Sequence, residues 1–168
     1  MTILMYQSSI PVFIHNLNNL SAILKKAENH SEAKKIDHTV FLNSRLAPDM
    51  FPLVRQIQIV SDTVKAGAAR LAGIEIPSFE DNETSFSDLQ NRISKTIKFL
   101  ETIKPEQIDG SEEKKISYVQ RGKENNFIGL PYLLNWVLPN LYFHITVAYS
   151  ILRHNGVEIG KKDYLGNY

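Results

Sequence analysis

The chain has no cysteine. That excludes a disulfide framework, thiolate metal sites and a cysteine nucleophile together, and it suits a reducing compartment, so a cytoplasmic location is expected. An excess of charge of either sign is also lacking: 19 basic residues stand against 18 acidic ones. No strong field therefore draws the protein to nucleic acid or to a membrane surface, and neither is an expected partner. The basic pairs Lys25-Lys26, Lys34-Lys35, Lys114-Lys115 and Lys161-Lys162 read as solvated helix ends. There is no Gly-rich phosphate loop, no His-Glu-x-x-His and no serine in a nucleophile-elbow context, so no complete catalytic signature is present. The opening MTILMYQSSIPVF lacks the basic start and small-residue cleavage site of a secretory signal, and Pro11 interrupts its apolar centre. Internal repeats and low-complexity segments are absent, and 168 residues are expected to make one domain over 1–168.

What is present is dominated by the stretch GLPYLLNWVLPNLYFHITVAYSIL, residues 129–152, because no formal charge occurs between Glu124 and Arg153. A helix apolar nearly all round must be covered nearly all round. Pro131, Asn135, Pro139, Asn140, His144 and Thr146 dilute it too much for a membrane span, so a buried bundle helix near residues 130–155 is expected. One stripe is Leu134, Leu138, Leu141, Ile145, Ala148 and Leu152; a second is Leu133, Val137, Asn140, His144, Val147 and Ile151. With Tyr132, Trp136 and Phe143 on another side, the apolar surface exceeds what three neighbouring helices cover, and a homodimer through this helix is expected. Pro139 should kink the helix beside Asn140.

Three further helices follow from periodicity. Ile10, Phe13, Leu17, Leu20, Leu24 and Ala27 form one stripe of a helix near residues 4–28. Short helical pieces at 32–36 and 39–43 are expected in the ordered connection that follows. Asp49 can open a second helix near 49–72, whose stripe of Met50, Val54, Ile57, Ser61, Val64, Ala68 and Leu71 stops at Gly73. Gln56, Gln58 and Asp62 lie off that stripe and read as surface residues. The next eleven residues, 74–84, reach about 36 Å, the length of a helix of roughly 24 residues, so a crossover along the whole bundle is allowed. A third helix near 85–103 starts behind a serine cap at 85 or 87, and its outer face is ordinary and polar. Residues 115–119 and 125–128 around Gln120-Arg121-Gly122-Lys123 read as a small β-hairpin packed on the bundle.

Asn140 and His144 stand at i, i+4 on one helix face, where both side chains can meet one ligand. The alternative is structural: His144 makes a buried hydrogen bond, and Asn140 caps backbone freed near Pro139.

Ala47-Pro48-Asp49-Met50-Phe51-Pro52-Leu53, Pro77-Ser78-Phe79-Glu80-Asp81, Ile151-Leu152-Arg153-His154-Asn155-Gly156-Val157 and Gly160-Lys161-Lys162-Asp163-Tyr164-Leu165-Gly166 resemble the bacterial domain of unknown function 1993. The likeness covers essentially the whole chain. That family is similar to the DinB and YfiT-like superfamily, which implies an all-α four-helix bundle running up-down-down-up, with a small β-hairpin before the last helix here. The resemblance also implies a protein that is often dimeric. Many superfamily members bind a divalent metal through one histidine on the second helix and a His-x-x-x-His pair on the last. His144 matches the second member of that pair, Asn140 stands where the first belongs, and residues 49–73 hold no histidine. Two of three imidazole ligands are thus missing, and Asn140 supplies only a neutral amide, so neither metal nor other cofactor is expected.

Two readings follow. One is a small-molecule binder that uses the former metal cavity around Asn140, His144 and Ser61, with no catalysis assigned. The other is a dimeric structural or interaction protein whose cavity is filled by side chains. A metal-dependent transferase or hydrolase ranks third.

Overall fold

The computed structural model describes residues 4–120 and 122–167. Its helices are α1 (Ile10–Lys34), α2 (His38–Leu42), α3 (Leu53–Ala72), α4 (Phe86–Glu101), α5 (Pro105–Ile108), α6 (Gly129–Tyr132), α7 (Leu138–His154) and α8 (Lys161–Leu165); strands β1 (Lys115–Gln120) and β2 (Lys123–Ile128) form an antiparallel pair. A π-helical turn, Leu133–Val137, joins α6 to α7. Long helices α1, α3, α4 and the α6–α7 rod make the bundle.

Side-chain pairs fix the directions. Gln58 meets Glu83 just before α4, while Asp62 and Ser61 meet Arg92 and Thr96 within it, so α3 and α4 run parallel. Arg70, Gly67 and Gln56 meet Tyr132, Val137 and His144 respectively, so α7 runs against α3. Phe86 at the start of α4 packs on Phe41 just beyond α1, and Tyr6 before α1 is bonded to Asp109 beyond α4, so α1 opposes α4. The course is up-down-down-up, as expected. Residues 73–85 make the crossover that a parallel α3–α4 pair requires. The core joins all four helices through residues such as Phe13, Leu20, Ile57, Val64, Leu89, Leu141 and Ile151, with Ile116 of β1 at its edge. Each such side chain contributes roughly 1.5–3 kcal/mol when fully buried.

Several boundaries differ from those expected. α1 runs from Ile10 to Lys34 rather than near 4–28; it absorbs most of the separate piece at 32–36, ending where Lys35 turns left-handed at φ 55°. α3 begins after Pro52, not at Asp49, because Pro52 and its extended backbone interrupt any earlier helix. α4 starts as expected: the Ser85 hydroxyl accepts from the Asp88 amide at 3.1 Å. The hairpin has the expected bounds, and Gly122 at φ 74° supplies the left-handed turn. Arg121, expected in that turn, lies outside the described residues.

The largest correction concerns the last helix. Leu134, assigned to the apolar stripe, is 47% exposed, whereas Leu133 and Val137 are fully buried. A π turn accommodates one more residue than an α turn, so the segment before Pro139 is rotated by about one residue, or about 100°, relative to an uninterrupted helix. The inward row becomes Leu133, Val137, Leu141, Ile145, Ala148 and Leu152. Pro139 lies in the first turn of the renewed α-helix, where its missing N–H costs least. Gly67 lets α3 approach this turn: a Cβ there would stand 2.7 Å from Val137 Cγ1.

Candidate functional site

The floor of the site starts with an amide. Gln56 is 2% exposed; its Nε2 donates to the Phe51 carbonyl at 3.0 Å, where the chain enters α3. That bond fixes the amide orientation and leaves Oε1 facing His144 Nδ1 at 2.7 Å. An amide oxygen only accepts, so Nδ1 carries the hydrogen and Nε2 keeps its lone pair. Burial, and then the Arg55 charge, hold the His144 pKa below the ordinary imidazole value. A neutral, tautomer-locked histidine results.

Around it lies a cleft of about 590 Å³ between α3, the hairpin and the α6–α7 rod. Asn140 and His144 line it together. Asn140 Nδ2 donates to the Trp136 carbonyl at 2.6 Å, so it satisfies backbone at the π turn and leaves its amide oxygen for other contacts. Ser61 does not join them. It is fully buried, with its hydroxyl 2.7 Å from Thr96 Oγ1, which itself donates to the Arg92 carbonyl at 2.8 Å. It therefore fastens α3 to α4, on the flank away from α7.

Gln56 and Gln58 are buried rather than at the surface, at 2% and 5% exposure. A helix with neighbours on both flanks and a crossover laid over it buries more than one stripe. The outer face of α4 is not ordinary either. Arg92 is 2% exposed, and it meets Glu83 at 2.8 Å, Asp62 at 2.9 Å, Asp81 at 3.0 Å and the Glu80 carbonyl at 3.0 Å. Burial works against its charge, but these carboxylates overcome that penalty and the guanidinium is held more firmly protonated than usual. Lys65, 3% exposed, donates to the Pro77 carbonyl at 3.0 Å, pairs with Asp62 at 3.1 Å and sits 3.8 Å from the Phe79 ring centroid. Burial pushes its pKa down, with Asp62 opposing. Arg55 pairs with Asp81 and bonds Gln58, which in turn donates to Glu83 at 2.8 Å. Asp62 lines the cleft, yet its carboxylate is already shared by Arg92 and Lys65.

The opposite end of the cleft is built from Arg70 and the hairpin, which periodicity did not mark, and from Tyr132 and Trp136, of which Tyr132 is buried rather than on the uncovered outer side expected for it. Arg70 lays its guanidinium 3.6 Å from the Tyr118 ring centroid and donates to the Tyr132 hydroxyl at 2.9 Å. Tyr132 is 1% exposed and packs on Phe127, which packs on Trp136. The hairpin adds Gln120, Lys123 and Asn125 to the lining. Its position is set by Gly129, where a Cβ would overlap the Ser111 carbonyl.

The matching family model, a domain of unknown function designated DUF1993, spans residues 5–165. The chain belongs to the DUF1993 family. Among similar solved structures is the crystal structure of a DinB family member from Shewanella denitrificans, 45% identical, covering 97% of this chain and 92% of that one with a TM-score of 0.88. No curated protein matches. Gln56 is the α3 side chain that meets His144, on the helix where the resemblance implied a histidine. The donors gathered in this DUF1993 protein are then one imidazole and two neutral amides. One imidazole nitrogen and both amide N–H groups are already engaged. Among the described residues no three His, Cys, Asp or Glu side chains converge as metal ligands. This donor set does not fit a divalent transition metal, which requires several anionic or imidazole ligands.

Proposed function

We propose that this DUF1993 protein binds a small molecule in the cleft lined by Asn140 and His144. The carrying observation is His144: Gln56 locks its tautomer, burial keeps it neutral, and its Nε2 remains an acceptor in a cleft of about 590 Å³. Such a volume lies within the range of sites that enclose small ligands. No bond-breaking step follows from these groups, so the reading is binding without assigned catalysis, in the cytoplasm of a bacterial cell.

The test uses uncharged N-phenyl-1-naphthylamine and the single tryptophan, Trp136, which lines the cleft. Saturable energy transfer from Trp136 at one probe per chain is expected, and Ala66→Trp, which fills the cleft, should abolish binding. Transfer that never saturates, or binding that survives the filling, would overturn this reading.

A second feature supports a homodimer. Leu134, Tyr142 and Phe143 are 47, 40 and 56% exposed on the outer side of the last helix, an apolar surface that a second copy would cover. Light scattering at tens of micromolar is expected to give twice the chain mass, with Phe143→Asp giving monomer. A monomer mass for the unaltered protein would refute the dimer.

A further inference from the structure

The cleft has two ends that differ in what they leave unpaired. At the α3 entrance, Arg55 is committed to Asp81 and Asp62 to Arg92 and Lys65. At the hairpin end, Arg70 has no carboxylate within ion-pair distance among the described residues, and neither has Lys123. Arg70 uses one N–H on Tyr132, so most of its five donors remain available. Its orientation is nevertheless fixed, by the Tyr132 hydroxyl on one side and the Tyr118 ring beneath it. The Tyr118 hydroxyl is buried and has no hydrogen-bond partner, although an orphaned buried polar atom costs about as much as a lost hydrogen bond. Burial pushes its pKa up, with Arg70 pulling the other way, so this hydroxyl is a donor over the whole physiological range. An oriented guanidinium, an orphaned phenol and an ammonium thus line one end of a cleft whose single acidic lining residue is already neutralised. Ile59, Ala66, Trp136 and Val137 give the adjoining wall an apolar character.

We infer that the hairpin end is an oxyanion subsite formed by Arg70, Tyr118 and Lys123, and that the ligand is an organic anion whose flat apolar body lies against Trp136 and Val137. The guanidinium fork suits a carboxylate, a sulfonate or a phosphate monoester, each presenting two or more oxygens in the geometry Arg recognises. The inference rests on the cleft being a binding site and adds the charge and class of its ligand. From Gln56 to Arg70 along α3 is about 21 Å at 1.5 Å per residue, so His144 and Arg70 sit at separate stations of one elongated groove. A ligand held at Arg70 reaches His144 only if its body is long, and the anion end is what the hairpin selects.

A matched pair of probes tests this. 8-Anilinonaphthalene-1-sulfonate has the aromatic body of N-phenyl-1-naphthylamine plus one sulfonate, and both report through energy transfer from Trp136. The sulfonate is expected to bind at least about tenfold tighter than the neutral probe, one charge-assisted contact being worth about that much or more. Arg70→Gln should remove that preference, so that the two probes bind alike. Lys123→Gln, on the exposed strand β2 and safe for folding, should reduce it by a few-fold and flatten its salt dependence. Should Arg70→Gln unfold, Lys123→Gln and Tyr118→Phe carry the test alone. Competition by 1-naphthoate and by 1-naphthyl phosphate then ranks carboxylate against phosphate. Equal affinity for the two probes, indifferent to Arg70, Tyr118 and Lys123, overturns the anion subsite and leaves the binding cleft standing. Absence of binding by both overturns the cleft as well.

Discussion

Two arginines on neighbouring bundle helices teach opposite lessons. Arg92 meets three carboxylates and a carbonyl, and its partners come from the crossover and from α3. Arg70 meets two phenols, one by hydrogen bond and one by its ring face, and no carboxylate among the described residues. Both are ordered, but only the first has its charge answered within the protein. A charge-paired cluster of this kind fastens the crossover over α3 and α4, because Arg92, Arg55, Lys65 and Gln58 each lose a partner when the crossover lifts. An unsaturated one has affinity left for something else. The boundary between the two runs along α3, with Arg55, Asp62 and Lys65 on the committed side.

The sharpest way to break this contrast is to neutralise each arginine in turn. Arg92→Met leaves Glu83 only the Gln58 amide and Asp62 only Lys65, and should lower the unfolding free energy by about 3 kcal/mol in urea titrations. Arg70→Met loses one hydrogen bond to Tyr132 and should cost only about 1 kcal/mol. Equal losses would mean that Arg70 is as structural as Arg92. Gln56→Leu comes next. It leaves the Phe51 carbonyl and the His144 Nδ1 hydrogen unanswered, and a loss of about 2 kcal/mol is expected; a neutral outcome would show that neither bond holds the α3 entrance. The pH response is smaller. His144 has its pKa lowered in the folded state, so the unfolded chain binds more protons below the ordinary imidazole value of about 6.5, and stability falls as pH drops through that value. His144→Gln should flatten the fall between about pH 7 and 5.5, and thermal melts across that window read it directly. The smallest effect belongs to Lys123→Gln, which should change stability by less than about 0.5 kcal/mol, since its charge has no partner among the described residues.

How far the sequence revealed this arrangement depends on how local each cause is. The hairpin, the Ser85 cap and the Gly73 stop are made by chemistry within a few residues, and their positions were legible. So was the pairing of Asn140 with His144, because four residues on a helix bring two side chains to one face. Leu134 was misplaced because Pro139 announces an irregularity without saying whether it becomes a kink or an extra residue in the turn before it. Gln56 and Gln58 were misread for another reason: the phase of one helix does not show how many neighbours flank it. Arg92 and Lys65 belong to the same class, since their partners arrive from a crossover whose path periodicity leaves open. Arg70, Tyr118 and Lys123 come from three separate elements, and no spacing connects them. The alternation of Ile116 and Tyr118 on β1 was the one local sign that Tyr118 faces inward.

The order of the four long helices has a consequence for cutting the chain. α1 packs on α4 and α7, and α3 packs on the same two, so the first two long helices stand at opposite corners of the square, as do the last two. A break among residues 73–76, which are exposed, would therefore divide the protein into two fragments whose long helices each lack their neighbours. Neither fragment could bury its own apolar stripes; each would require the other as its template. Mixed together, they would form an obligate heterodimer with the original core, so the bundle is divisible in covalent terms and indivisible in folding terms.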